Sequence, residues 1–182
     1  MRAIEAAAAG GPEVLELVEV PDPEPGPGQV LVRTAAVGLN FIETYQRGGV
    51  YPVDFPFRPG GEAAGEIVAV GEGVNGLSVG DQVAWTRSIT GSYAEIVLVE
   101  AEHALAIPAG LDVRTAAALP LQGLTVSMLV DGAFTVQQGQ DVLLTAGAGG
   151  VGLLLTQVAA HLGARVITTV STAEKEALSR EA

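Results

Sequence analysis

Residues 145–152 read Thr-Ala-Gly-Ala-Gly-Gly-Val-Gly and join a short apolar segment, Asp141 to Thr145, to a longer one of helical length. Small residues at the start of a helix leave its backbone N–H groups open to an anion, which the positive end of the helix dipole also attracts. The spacing is not the usual G-x-G-x-x-G, because Gly147, Gly150 and Gly152 form G-x-x-G-x-G. The glycine pattern is therefore weak by itself, and the segments on either side of it decide its meaning.

Those flanking segments predict one β-α-β unit. Val151 to Leu162 is apolar and predicts a buried helix, Gly163 suits a C-terminal cap, and Arg165 to Val170 is rich enough in β-branched residues for a strand. A strand, a glycine turn, an apolar helix and a second strand in this order are typical of a dinucleotide-binding site.

The end of the second predicted strand indicates which dinucleotide binds. An NAD site usually has an acidic residue about 20 residues downstream to bind the ribose 2′-OH. Ser171 and Thr172 stand there instead, and Lys175 follows, so hydroxyls and an ammonium favour the 2′-phosphate of NADP. The same residues also fit a plain helix start, with Thr172 as the N-cap and Lys175 on a solvated face. The two interpretations are compatible.

Composition limits the classes of function. The chain has 182 residues, 48% of them hydrophobic, a formal charge of −12 and no cysteine. We expect a soluble, cytoplasmic protein with no membrane span, because no apolar run reaches the roughly 18 residues that a bilayer requires. The negative charge argues against a nucleic-acid surface, and the lack of cysteine removes disulfides and cysteine-ligated zinc.

The chain divides into a β-rich part and an α/β part. Short strands separated by Gly and Pro run from Arg2 to about Ile107 and predict a barrel-like domain. After Pro108, helices are predicted before the β-α-β unit. The chain stops at Ala182, inside a predicted helix, although a dinucleotide fold needs further parallel strands, so we expect it to be the N-terminal part of a longer protein. The predicted strands outside the β-α-β unit are Leu15–Val20, Gln29–Ala36, Glu66–Val70, Gln82–Trp85 and Ser92–Val99, and the predicted helices are Val113–Ala118 and Gly123–Val130.

Several local motifs occur in one order along nearly the whole chain. They are Gly10-Gly11-Pro12-Glu13-Val14-Leu15, Val37-Gly38-Leu39-Asn40-Phe41-Ile42-Glu43-Thr44-Tyr45, Pro59-Gly60-Gly61-Glu62-Ala63-Ala64-Gly65, Gly80-Asp81-Gln82-Val83, Gln122-Gly123-Leu124-Thr125 and Ala148-Gly149-Gly150-Val151-Gly152. Together they resemble the zinc-independent, zeta-crystallin-like quinone oxidoreductases of the medium-chain dehydrogenase/reductase superfamily.

The resemblance implies a mixed α+β and α/β architecture. Residues 1–115 are expected to form a GroES-like β-barrel catalytic domain. Residues 116–182 are expected to form a linking helix and the first, incomplete part of a doubly wound Rossmann domain that binds NADPH. The family also implies a cleft between the domains and a homodimer.

No metal is expected. Asn40 stands where zinc-dependent relatives place a cysteine ligand, and Gly61 stands where they place a histidine before the glutamate kept here as Glu62. A catalytic zinc needs about three protein ligands, and a lone carboxylate does not supply them.

The residues and the resemblance together assign site roles. Asn40 and Tyr45 are the predicted catalytic residues, because both can hydrogen-bond an acceptor oxygen as charge develops on it or orient the nicotinamide, and Tyr45 can also donate a proton. The cluster of aromatic residues at 41, 45, 51, 55 and 57 forms either an apolar wall for a flat ring or a local hydrophobic cluster. By resemblance, the nicotinamide contacts are Phe41, Ile42, Glu43, Thr44, Tyr45 and Thr125, the pyrophosphate contacts are Ala148, Gly149, Gly150 and Val151, and the 2′-phosphate contacts are Ser171 and Lys175.

The expected activity is metal-free, NADPH-dependent reduction of a quinone or another planar electrophile. Reduction of an activated C=C bond in an enone or enoyl thioester is the alternative within the same superfamily. A non-catalytic crystallin-like or RNA-binding role is the alternative from another class, and the acidic charge counts against RNA.

Overall fold

The computed structural model describes residues 1–182, which form two compact units, Met1–Pro120 and Leu121–Ala182. The first unit is a β domain with two short helices. Its elements are β1 (Arg2–Ala6), β2 (Leu15–Glu19), β3 (Gln29–Val37), α1 (Phe41–Arg47), β4 (Glu62–Val70), β5 (Gln82–Thr86), β6 (Ile96–Glu100), β7 (Ala104–Ala106) and α2 (Val113–Ala117). Strands β3 to β7 form one antiparallel sheet in the order β6-β3-β4-β5-β7, and β1 pairs with β2.

The strand sequences bury both faces of the five-stranded sheet. Successive side chains of a strand point to opposite faces, so Val83 and Trp85 belong to one core and Ala84 to another. The small residues Ala64 and Ala84 let α2 approach the second face, where Ala116 and Ala117 are buried. The first core consists of Val30, Val32, Ala63, Ile67, Val83, Trp85, Val97 and Val99.

The second unit contains the predicted β-α-β unit. Its elements are α3 (Pro120–Ser127), a π-helical turn (Met128–Ala133), β8 (Asp141–Leu144), α4 (Gly150–His161), β9 (Arg165–Thr168) and α5 (Ala173–Glu181). Strands β8 and β9 are parallel, as expected for two neighbouring strands that are connected by a helix. The core beneath them includes Val126, Val130 and Leu155. No helix of the protein combines the length and the apolar character needed to cross a bilayer.

Several elements differ from the sequence-based expectation. Strands β1 and β7 and helix α1 were not individually predicted, because each is short and shows little periodicity. The predicted strand from Ser92 begins only at Ile96, because Ser92 is used in a loop, where its hydroxyl accepts a hydrogen bond from the indole of Trp85 at 3.1 Å. The predicted helix over residues 123–130 begins earlier, at Pro120, and changes to π-helical geometry at Met128.

Candidate functional site

The glycine turn at the start of α4 contains glycines of two kinds. At Gly152 an added Cβ would lie 2.3 Å from the carbonyl oxygen of Ala146, so the packing of the chain itself requires glycine there. At Gly150 an added Cβ would meet only the side chain of Gln122, at an ordinary contact distance of 3.5 Å. Internal packing therefore does not explain Gly150, and the missing side chain leaves the N-terminus of α4 open.

A cavity of about 410 Å³ opens beside this turn, at the carboxyl ends of β8 and β9. This edge is where open α/β sheets bind their ligands. Its lining includes one cation and no carboxylate, which suits phosphate groups. The lining residues are Ala146, Ala148, Gly149, Thr169, Val170, Ser171 and Lys175.

The structure confirms that Thr172 is the N-cap of the helix that follows it, and the 2′-phosphate site at Ser171 and Lys175 stays a prediction. The hydroxyl of Thr172 accepts a hydrogen bond from the Lys175 backbone N–H at 3.2 Å and caps α5. The Lys175 ammonium donates to the Ser171 hydroxyl at 3.3 Å, and both side chains are exposed in the cavity. A hydroxyl and an ammonium are thus held side by side, and both are groups that can donate charge-assisted or neutral hydrogen bonds to an anion.

In the first unit, Asn40 occupies the N-cap position of α1 without capping it through its side chain. Its Nδ2 donates instead to Oε1 of Glu62 at 2.9 Å. Glu62 is 1% exposed and begins β4. A charged acceptor strengthens this hydrogen bond, so the Asn40 amide is held in one orientation.

Glu43 is also buried, at 7% exposure, and its carboxylate has two donors. The backbone N–H of Gly61 donates to Oε1 at 2.9 Å, and the Tyr93 hydroxyl donates to Oε2 at 2.8 Å. Burial, the hydrogen bond to Glu43 and the charge of Glu43 raise the pKa of Tyr93 above its ordinary value. Tyr93 is therefore a neutral donor at every physiological pH.

A second cavity, of about 390 Å³, opens where α1 begins. It combines apolar and aromatic surface with a few polar groups, which is the usual character of a small-molecule pocket. Of the predicted site residues it brings together Asn40, Phe41, Glu43 and Thr44. The lining residues are Leu15, Leu39, Asn40, Phe41, Glu43, Thr44, Arg47, Pro59 and Tyr93.

The five aromatic residues of the predicted cluster, at positions 41, 45, 51, 55 and 57, form two groups. Tyr45 meets Phe41 edge to face at a centroid distance of 5.2 Å and meets Tyr51 in the same way at 5.6 Å. Phe55 and Phe57 form a separate pair at 6.5 Å. Phe41 is 72% exposed, so the first group presents ring surface to solvent next to the pocket that Phe41 lines.

Other predicted site residues lie outside the two cavity linings. Ile42 and Tyr45 are partly exposed on α1, and Gly150 and Val151 form the first turn of α4. Thr125 donates its hydroxyl to the carbonyl of Leu121 within α3, at 2.9 Å.

Sequence reasoning missed the role of Tyr93. Fifty residues separate it from Glu43, so no local spacing points to the pair. From the sequence, Glu62 was noted only as a carboxylate that lacks the further ligands a zinc ion would need. Its contact with Asn40 spans 22 residues and needed the folded chain to be seen.

Residues 26–109 match the alcohol dehydrogenase GroES-like domain family. The chain is 45% identical to a quinone oxidoreductase of Pseudomonas aeruginosa over 179 residues, which is 98% of this chain and 55% of the relative. It is 39% identical to a 2-haloacrylate reductase of a Burkholderia species over 178 residues, covering 94% of this chain and 54% of the relative.

Among solved structures, the Escherichia coli quinone oxidoreductase complexed with NADPH superposes with a TM-score of 0.95 and 39% identity. The match covers 100% of this chain and 56% of that one. The chain thus spans slightly more than half the length of the relatives it matches.

Proposed function

We propose that this chain, which belongs to the quinone oxidoreductase family of the medium-chain dehydrogenase/reductase superfamily, is part of an NADPH-dependent quinone reductase. The observation that carries the proposal is the cavity beside α4, where Ser171 and Lys175 line the same space as the glycine turn. Such a site suits a dinucleotide that bears a 2′-phosphate.

In this proposal the second unit holds the phosphates. The backbone N–H group of Gly150 at the start of α4 receives the pyrophosphate, with Ala148, Gly149 and Val151 beside it, since the Gly149 N–H already donates to the Ala146 carbonyl. The Ser171 hydroxyl and the Lys175 ammonium bind the 2′-phosphate and select NADPH over NADH. When bound, NADPH supplies the hydride for the reaction.

The first unit positions the acceptor in this proposal. Phe41 and Tyr45 offer ring faces on which a planar quinone can stack, and the Asn40 amide hydrogen-bonds the oxygen on which negative charge develops. A quinone that gains a hydride and one proton becomes a hydroquinone, and the Tyr45 hydroxyl is the proposed donor of that proton. We also propose that Ile42, Thr44 and Thr125 border the nicotinamide.

Reduction of an activated C=C bond is the second candidate. Its support is the similarity to the 2-haloacrylate reductase. An enone or acrylate also develops negative charge on an oxygen after hydride addition, so the same amide can serve both acceptors.

Three further features belong to the proposal. The reduction proceeds without a metal, since Asn40 and Gly61 stand where zinc-dependent relatives place two ligands. The full-length protein is a homodimer and works in the cytoplasm. Chelator-resistant turnover, sedimentation equilibrium and cell fractionation test these three features in turn.

The deciding experiment measures oxidation of NADPH and NADH by the full-length gene product, with 1,4-benzoquinone, a conjugated enone or 2-chloroacrylate as acceptor. We expect quinone-dependent turnover with a strong preference for NADPH. Turnover with the enone or acrylate alone would replace the quinone assignment by C=C reduction. Binding of NADPH without turnover of any acceptor would remove both.

A further inference from the structure

Hydrogen bonds to two buried carboxylates connect the first turn of α1 to the start of β4, and each of the two segments supplies one donor and one acceptor. The Asn40 side chain donates to Glu62, and the backbone N–H of Gly61 donates to Glu43. Adjacent residues of one segment, Gly61 and Glu62, thus hold residues 40 and 43 of the other. We call this set of contacts the α1 clasp.

Tyr93 adds a third segment to the α1 clasp. Its backbone N–H donates to the carbonyl of Pro59 at 3.0 Å, and its hydroxyl donates to Glu43 at 2.8 Å. A carboxylate at 7% exposure is costly to bury unless it is hydrogen-bonded, so the two donors to Glu43 determine where α1 lies.

The clasp fixes α1 through its buried side, where Glu43 lies, and the opposite, exposed side of the same helix carries the proposed acceptor-binding rings. Asn40 precedes α1, and Phe41 and Tyr45 lie one turn apart on it, with their rings in contact. The helix has only seven residues, too few for its own hydrogen bonds to hold it in place. A shift of α1 therefore moves the amide and both rings together.

We infer that Glu43 and Tyr93 are positioning residues for acceptor reduction, acting through α1, and that Glu43 is not a cofactor contact. The inference rests on the proposed function, because it concerns how the acceptor is held there. Hydride transfer depends steeply on the separation of the reacting atoms, and a misplacement of about 1 Å costs on the order of 100-fold in rate.

The test compares Tyr93→Phe and Glu43→Gln with Ser92→Ala in the full-length protein. Ser92→Ala is the matched control, because it removes a buried hydrogen bond in the neighbouring residue without touching α1. The measured quantities are kcat and KM for quinone, the primary isotope effect with NADPH deuterated at C4, and the Kd of NADPH from its fluorescence.

For Tyr93→Phe we expect quinone kcat/KM to fall roughly 10- to 100-fold. The isotope effect should rise, because a misplaced acceptor slows the transfer step itself, while the NADPH Kd stays within about twofold, below the loss from a single hydrogen bond. Ser92→Ala should lower stability and leave the isotope effect and quinone KM unchanged.

A readout independent of turnover comes from titrating the tyrosine absorbance. In Glu43→Gln the pKa of Tyr93 should fall but stay above its ordinary value, because burial, the largest cause of the rise, remains while the carboxylate charge is lost. An unchanged titration would overturn the Glu43–Tyr93 contact itself.

Two kinetic outcomes would overturn the inference alone. One is a loss of kcat in Tyr93→Phe with unchanged KM and isotope effect, which means only that fewer molecules are folded. The other is a loss of NADPH affinity in Glu43→Gln as large as the loss in kcat/KM, which makes Glu43 a cofactor contact. Absence of quinone turnover in the wild-type protein would instead remove the proposed function, and this inference with it.

Discussion

Replacing Lys175 with alanine tests the cofactor assignment directly. Lys175 is the single lysine of the chain, and its ammonium lies 3.3 Å from the Ser171 hydroxyl in the cavity beside α4. Its side chain is exposed and makes no ion pair, and alanine is the best helix former, so α5 should persist. The substitution therefore removes a charge from the site without disturbing the fold.

The expected magnitude follows from the chemistry of the contact. A hydrogen bond to a charged group contributes about 1.5 to 3 kcal/mol, which is roughly 10- to 150-fold in Kd. Because Lys175 is exposed, solvent screening places the expectation near the lower end, at roughly 10- to 30-fold. NADH lacks the 2′-phosphate, so its affinity should stay nearly unchanged. The loss for NADPH should shrink as ionic strength rises.

Isothermal titration of both cofactors into the full-length protein measures these affinities. The matched control is Arg180→Ala, because Arg180 is an exposed cation on the same helix whose partner is Glu176 at 2.7 Å. The reasoning is refuted if Lys175→Ala weakens NADPH and NADH equally. It is also refuted if Arg180→Ala weakens NADPH as much as Lys175→Ala does, since net charge would then explain the effect.

The remaining predictions concern the glycine turn, the acceptor site and the β-domain core. Gly150→Ala should fold normally and weaken NADPH and NADH alike by roughly tenfold, whereas Gly152→Ala should lower the free energy of unfolding by about 1 to 3 kcal/mol, as urea titration would measure. Asn40→Ala should lower kcat/KM for the quinone by roughly 10- to 100-fold with unchanged NADPH affinity, and an unaltered kcat/KM would remove its catalytic role. Ser92→Ala should lower the free energy of unfolding by about 1 to 3 kcal/mol, because the buried Trp85 indole loses its acceptor, and fluorescence of this single tryptophan reports the transition in urea.

Much of the fold could be predicted because its signals are local. The glycine turn, the apolar helix after it and the β-branched segment beyond lie within about 30 residues, the usual length of one β-α-β unit, and strands β8 and β9 are parallel as expected. Helix α1 was missed, because seven residues with aromatic groups at positions 41 and 45 fit a helix, a strand or a loop equally well. Its geometry depends on Gly61 and Tyr93, which are distant in sequence.

The order of elements, the glycine turn and the cation near it could be read from the amino-acid sequence, since their signals lie within about 30 residues of one another. The contacts of the buried carboxylates became visible only in the folded chain. In the sequence Glu43 was a predicted nicotinamide contact and Glu62 a lone carboxylate at a former zinc position, yet folding buries both, and a buried carboxylate needs hydrogen-bond donors. Those donors, Tyr93 and Asn40, lie 50 and 22 residues away, so their pairing follows from the packing of the whole β domain and not from any local pattern.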